Sequence, residues 1–171
     1  METCLSFGLA AKYYIQSGIG RELTEQQLME KLEECEEAGL IPFGTNSREI
    51  VNMCMCDKDS CQMLRIVTKW PKPAEEVHSP YFAAIEEESC TGCSKCVKRC
   101  QVDAVKEKQS DPESKKRKYY IDTDRCFGCG LCISACKNDA LSMKLKDVLP
   151  EVPENSTAMN MMMQERTKLN I

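Results

Sequence analysis

"CTGCSKCVKRC", residues 90–100, holds four cysteines separated by two, two and three residues. The same spacing returns in "CFGCGLCISAC", residues 126–136, which lies 36 positions further along the chain. The alignment continues without a gap on both sides, so that residues 85–108 fall on residues 121–144. A fixed internal offset of this size indicates a duplicated supersecondary unit.

Each unit predicts the same short series of elements. Aromatic and β-branched residues in "YFAAIE" (81–86) and "KYYIDT" (118–123) favour a strand before each cysteine run. The third and fourth cysteines of a run are four positions apart, which is one helical turn. The alternating "DAVKEK" (103–108) and "DALSMK" (139–144) then predict a returning strand. Each unit therefore reads as strand, cysteine loop, helical turn and strand.

Cysteine usage indicates metal binding. The chain of 171 residues has thirteen cysteines and a single histidine, and its first residues lack the basic start of a secretory signal. Without export, disulfides are disfavoured, and we expect a cytoplasmic protein. The scarcity of histidine leaves all-thiolate sites, either zinc held by four cysteines or iron with sulfide.

The run C-x-x-C-x-x-C-x-x-x-C, present twice, resembles that of bacterial ferredoxins with two 4Fe-4S clusters. The resemblance covers residues 80–146 and implies that the fourth cysteine of each run binds the other run's cluster. Cluster one would then be bound by Cys90, Cys93, Cys96 and Cys136, and cluster two by Cys100, Cys126, Cys129 and Cys132. Two zinc sites remain the main alternative, although paired zinc knuckles leave the third and fourth cysteines of each run unused.

Three further features of the two cysteine runs bear on how they would bind clusters. The proline that follows the fourth cysteine in this family is replaced by Gln101 and Lys137. Gly92, Gly128 and Gly130 suit a close approach of backbone to cluster, because glycine has no Cβ. Three basic residues lie within the first run, namely Lys95, Lys98 and Arg99, whereas the second run has Phe127, Leu131 and Ile133. We therefore expect the two clusters to differ in potential.

Residues 1–70 predict a small helical domain. "LSFGLAAKYYIQSG" (5–18) favours one helix, and a second spans "TEQQLMEKLEECEEAG" (24–39), with a capping box at its start and Gly39 at its end. Residues 48–56 predict an extended piece and residues 61–70 a third helix. A winged-helix DNA reader is the alternative, but phosphate would repel the acidic second helix, which carries Glu30, Glu33, Glu34, Glu36 and Glu37.

Five cysteines lie outside the two runs. Cys35 falls on the apolar stripe of the second helix and reads as a core residue. Cys54, Cys56 and Cys61 in "CMCDKDSC" form a candidate third site for a cluster or a metal ion, with Cys4 as an outside ligand. The alternative is a cysteine-rich loop without a metal.

The remaining segments complete the predicted organisation. Residues 71–79 predict a linker and residues 147–171 a flexible tail, whose methionines would alternatively pack on a partner. The basic run "KKRK" (115–118) predicts either a solvated loop or a docking point for an acidic redox partner. No window is apolar enough for a membrane span, and the net charge of −4 does not predict a nucleic-acid partner.

The sequence thus predicts an α+β protein, in which a helical N-terminal domain precedes a duplicated ferredoxin-type domain. A looser resemblance links the layout to larger ferredoxin-domain proteins of anaerobic bacteria, of which this chain would be a shortened member. We expect an electron carrier that binds oxidoreductase partners, with no catalytic residue and no small-molecule substrate. The alternative is an electron-relay subunit fixed in a larger oxidoreductase complex.

Overall fold

The computed structural model describes residues 2–108 and 116–169. It has both helices and strands, which confirms the mixed α+β class. In chain order the elements are β1 (Cys4–Ser6), α1 (Gly8–Gln16), α2 (Glu25–Glu37), β2 (Ile41–Gly44), β3 (Asn52–Cys56), α3 (Gln62–Val67), α4 (Pro73–Glu76), β4 (Tyr81–Ile85), α5 (Lys95–Arg99), β5 (Val105–Glu107), β6 (Tyr119–Ile121), α6 (Leu131–Ser134), β7 (Leu141–Leu145) and α7 (Ser156–Leu169).

The chain divides into two compact units. The first unit combines Met1–Cys56 with Glu151–Ile171, and the second is Asp57–Pro150. This division differs from the predicted domains, because residues 57–79 fall into the second unit and the last residues into the first.

The first unit contains a three-stranded antiparallel sheet in the order β1-β3-β2. The predicted first helix, over residues 5–18, is therefore wrong for Leu5 and Ser6, which pair with β3. The backbone N–H of Phe7 donates to the carbonyl of Val51 at 2.8 Å, and that of Met55 donates to Thr3 at 2.8 Å. Pairing between distant segments here outweighs the local helix preference.

The predicted second helix is confirmed as α2. The Thr24 hydroxyl accepts the N–H of Gln27, and the Gln27 side chain accepts the N–H of Thr24, which is the expected capping box. Gly39, one residue beyond the C-cap, has φ +82°, a conformation that glycine adopts without a steric penalty. Cys35 is fully buried, as expected for the apolar stripe.

The second unit holds two antiparallel pairs of strands, β4 with β7 and β5 with β6. The strand before the first cysteine run thus pairs with the strand after the second run, and the other two strands pair between them. Two equivalent hydrogen bonds show the same exchange: the N–H of Glu86 donates to Ala140 O, and the N–H of Asp122 donates to Ala104 O, both at 2.8 Å. All four strands and both helical turns overlap the predicted segments, with ends that differ by one or a few residues.

Apart from His78, the left-handed residues described in the second unit also repeat at an offset of 36 positions. Positive φ angles occur at three equivalent pairs, namely Gly92 with Gly128, Ser94 with Gly130, and Asp103 with Asp139. Residues other than glycine rarely adopt a positive φ. Its recurrence at equivalent positions shows that the two cysteine loops follow the same backbone path.

Residues 57–79, which include the predicted third helix (61–70) and the predicted linker (71–79), pack onto the second repeat. Leu64 in α3 is fully buried. The Arg125 guanidinium donates to the carbonyls of Thr68 and Val102 at 3.0 and 2.9 Å, and the N–H of Ala74 donates to Asp124 O at 2.9 Å. These bonds attach the segment next to the second cysteine run.

The predicted flexible tail differs from the structure, in which Ser156–Leu169 is helical. Before this helix, the carbonyls of Pro153 and Glu154 accept hydrogen bonds from the N–H groups of Arg48 and Glu49, both at 2.9 Å. Within the described residues, no helix has the length and apolar character needed to cross a bilayer.

Candidate metal centres

The first group of cysteines surrounds one cavity. Cys90, Cys93 and Cys96 line it from the first loop and α5, and Cys136 lines it from two residues beyond the end of α6. The cavity measures about 360 Å³, part of which is open to solvent. Its other lining residues are Ile85, Thr91, Ser94, Lys95, Tyr119, Asn138, Ala140 and Leu141. The structure therefore brings together the four cysteines predicted for cluster one, including the one from the other repeat.

Electrostatic interactions between thiols identify the second group of cysteines, which are Cys100, Cys126, Cys129 and Cys132. Negative charges on Cys100 and Cys126 both raise the pKa values of Cys129 and Cys132. Cys100, which ends α5, thus lies close to the second run rather than in its own loop. Cys96 also acts on Cys132, so the two groups are near each other.

The two groups differ in exposure. In the first loop Cys93 is exposed, whereas its equivalent Cys129 is half-buried. Cys126 is buried, whereas its equivalent Cys90 is half-buried. The first group is consequently the nearer of the two to solvent.

The pKa values of the thiols follow this difference. Burial raises the pKa of Cys129 to about 11 and that of Cys132 to about 12. Burial also raises the pKa of Cys96, whereas the N–H of Lys95 lowers the pKa of Cys93 by donating a hydrogen bond to its sulfur. Because iron binds thiolate, metal must displace protons from the buried thiols.

Backbone N–H groups point at the sulfurs. Ala83 donates to Cys126 Sγ at 3.4 Å, and Ala104 donates to Cys100 Sγ at 3.2 Å. Such donors stabilise negative charge on a ligand and tune a bound metal. Two sets of four thiols with amide donors and apolar walls are a donor set that fits 4Fe-4S clusters.

The glycines of the loops have a role that the sequence did not reveal. A Cβ at Gly128 would lie 2.3 Å from Tyr81 O, and a Cβ at Gly92 would lie 2.6 Å from Arg117 O. Each glycine therefore allows its loop to pass directly beside the backbone of the other repeat. Gly130 has open space around its Cβ position, and at the equivalent position the Ser94 hydroxyl lies 2.7 Å from that of Tyr119.

Gln101, at the position of the missing proline, makes a specific contact. Its side-chain oxygen accepts the backbone N–H of Lys58 at 2.7 Å. Lys58 belongs to a tight turn in which the Asp57 carboxylate accepts the N–H groups of Asp59 and Ser60, both at 2.8 Å. The residue that follows Cys100 thus anchors the turn that precedes Cys61.

The candidate third site is divided between the two units. Cys54 and Cys56 lie on β3 in the first unit, where Cys54 is directly opposite Cys4 on β1; Cys61 lies in the second unit. Among the described residues, no three His, Cys, Asp or Glu side chains are placed to hold a single metal ion. Clusters differ from single ions, because each thiolate binds its own iron. The third site stays a prediction.

Residues 89–140 match the model of a protein family described as the 4Fe-4S dicluster domain. This match places the stretch in the class of iron–sulfur domains with two cysteine runs, and it confirms the resemblance seen in the sequence.

One curated relative is also similar. It is a subunit of the ion-translocating oxidoreductase complex of Erwinia tasmaniensis, and it is 31% identical over 81 residues. The matched part covers 42% of this chain and 42% of that protein, so the chain spans less than half of its relative's length. Both similarities support a role in electron transfer.

Proposed function

We propose that this chain transfers single electrons between oxidoreductase partners through two 4Fe-4S clusters bound by a duplicated ferredoxin-type domain over residues 80–146. One observation carries the proposal. Each group of four cysteines takes three members from one repeat and one from the other. Crossed groups of this kind are expected for two clusters bound by paired runs.

The chain's own residues bind and shield the clusters. The eight cysteines supply thiolates, and the N–H groups of Ala83 and Ala104 donate to two of the sulfurs. Leu131 and Phe127 are buried within the second loop and limit the access of water there. A bound cluster accepts and donates one electron at a time, and no side chain acts as an acid, a base or a nucleophile.

A second candidate is an electron-relay subunit fixed within a larger oxidoreductase complex. The Erwinia tasmaniensis relative is, by its name, a subunit of such a complex. A stable co-purifying protein that holds flavin or another metal would favour this candidate, and a monomer that exchanges electrons with several enzymes would favour the carrier.

Counting iron and acid-labile sulfide per chain after anaerobic purification tests the cofactors. About eight irons and eight sulfides support two clusters, and about twelve of each support a third. If twelve are found, the double variant Cys54→Ser/Cys56→Ser should reduce the count to about eight. Zinc without sulfide would overturn the proposal.

A further inference from the structure

A basic segment lies against the first group of cysteines. Lys116, Arg117 and Lys118 line a groove of about 250 Å³ together with Cys90. All three basic side chains are exposed, and residue 115 of the predicted basic run lies outside the described residues. Ile85, Glu87 and Tyr119 complete the groove. Positive charge is therefore placed on the surface beside a proposed iron ligand.

The duplication provides an internal comparison for this charge. The positions equivalent to 116–118 in the first repeat are Pro80, Tyr81 and Phe82. Exposed Lys95, which follows the exposed Cys93 by two positions, is equivalent to Leu131, which is buried. The backbone repeats but the charge does not, so the fold does not require these basic side chains.

Nearby acids reduce the positive charge without removing it. Glu87 forms ion pairs with Lys118, at 3.8 Å, and with Lys108. Lys95 and Arg117 add further positive charge beside the first cysteine loop, whereas the chain as a whole has a net charge of −4. A local patch opposite in sign to the whole molecule orients an approaching charged partner.

We propose that Lys95, Lys116, Arg117 and Lys118, the basic face, form the docking surface for a redox protein with an acidic surface, which exchanges electrons through the first cluster. This inference rests on the proposed function, because it names the cluster through which electrons enter or leave. The exposure of Cys93 supports it, since the first cluster would lie nearest to a partner on this face.

Small redox probes of opposite charge test the basic face without a known partner. After reduction with dithionite, stopped-flow absorbance would follow oxidation of the clusters by hexacyanoferrate(III), an anion, and by hexaamminecobalt(III), a cation. The rate with the anion should fall as salt increases. In Lys95→Glu/Arg117→Glu/Lys118→Glu it should fall at least several-fold, while the rate with the cation rises.

The matched control is Arg65→Glu/Lys69→Glu/Lys144→Glu, which changes the net charge equally at exposed positions outside the basic face. Equal effects of the two triple variants, or no effect of either, would overturn the docking surface. Iron and sulfide are counted in every variant. If a triple Glu variant loses its clusters, the variant with Gln at the same three positions is used in its place. A wild-type protein without clusters would overturn the proposed function instead.

A protein probe gives an independent result. Carbodiimide joins lysine amines to carboxylates, so cross-linking to flavodoxin, an acidic flavoprotein, followed by peptide mapping identifies the lysines in contact. We expect links at Lys95, Lys116 or Lys118. Links confined to Lys69 and Lys144 would contradict the proposal.

Discussion

The backbone N–H of Lys58 donates a 2.7 Å hydrogen bond to the side-chain oxygen of Gln101. It connects the turn that begins at Asp57 to the residue directly after Cys100. The bond is part-buried, and a hydrogen bond of this kind contributes about 0.5–1.5 kcal/mol net, so we expect it to stabilise the surroundings of the second group of cysteines.

Gln101→Leu should therefore lower the temperature at which the cluster absorbance is lost. A loss of about 1 kcal/mol corresponds to roughly 4–8 °C in a domain of this size. Gln101→Glu keeps an acceptor of similar length and is the control, with a much smaller change expected. Equal midpoints for the two variants would show that the bond contributes nothing.

Gly128→Ala should destabilise the second unit strongly. The new Cβ would lie 2.3 Å from Tyr81 O. The alanine would also have to adopt the positive φ of Gly128, which is unfavourable for a residue with a side chain. The conformation costs about 1–2 kcal/mol and the overpacking about 1–3 kcal/mol. Gly130→Ala is the control, because it shares the positive φ but meets no neighbour. The midpoint of thermal unfolding should be well above that of Gly128→Ala in the Gly130→Ala variant. The reverse order of midpoints would refute the packing argument.

The crossed groups predict which cluster each cysteine supports. Cys100→Ala should damage the cluster held by the second run, and Cys136→Ala the cluster held by the first. EPR of the reduced protein, compared with Cys126→Ala and Cys90→Ala as references, distinguishes the two. If Cys100→Ala matched Cys90→Ala instead, each run would bind its own cluster.

The two clusters should have different potentials, with the higher one at the first group. Reduction adds negative charge, which solvent at the exposed Cys93 and the positive charge of Lys95 favour at the first group. Burial of Cys126, whose equivalent Cys90 is only half-buried, disfavours the added charge at the second group. In an EPR-monitored redox titration, Lys95→Glu should lower the higher potential, while Lys144→Glu leaves both nearly unchanged. A single shared potential would contradict this expectation.

Iron retention should rise with pH. In the cluster-free chain burial holds the pKa of Cys129 at about 11 and that of Cys132 at about 12, so both thiols carry protons at neutral pH. Iron binding must release those protons, and a higher pH makes the release easier. Competition with a fixed chelator at pH 7, 8 and 9 should show increasing retained iron; retention independent of pH would contradict the argument.

The cluster-free chain should respond to pH in the opposite direction. Its folded pKa values lie above the ordinary thiol value of 9.0, so the folded state favours the protonated thiols. Stability is then greatest below about pH 9 and declines as the pH rises toward 11. Anaerobic urea unfolding at pH 8 and pH 10 measures this, and greater stability at pH 10 would disprove it.

Local signals were the most predictable part of the molecule. The capping box of α2 depends on Thr24 and Gln27, which are neighbours in the helix, and the strands beside the cysteine runs follow from short apolar stretches. Strand β3 lies within the predicted extended piece, but β1 was missed, because it gains its hydrogen bonds from Asn52–Cys56, a segment far away in the chain.

The sequence by itself determined the chemistry of this protein. Eight cysteines at repeated spacings, with one histidine in the whole chain, predict thiolate ligands and two equivalent units. Only the tertiary structure decided how these units differ. Exchange of strands between the repeats placed Cys136 with the first group and crowded Gly128 against Tyr81. Packing buried Cys126 more deeply than its equivalent Cys90, while it left Cys93 exposed. The exposure of each cysteine and the grouping of cysteines from both repeats depend on contacts between residues that are distant in the sequence. The spacing of cysteines along the chain does not encode these contacts.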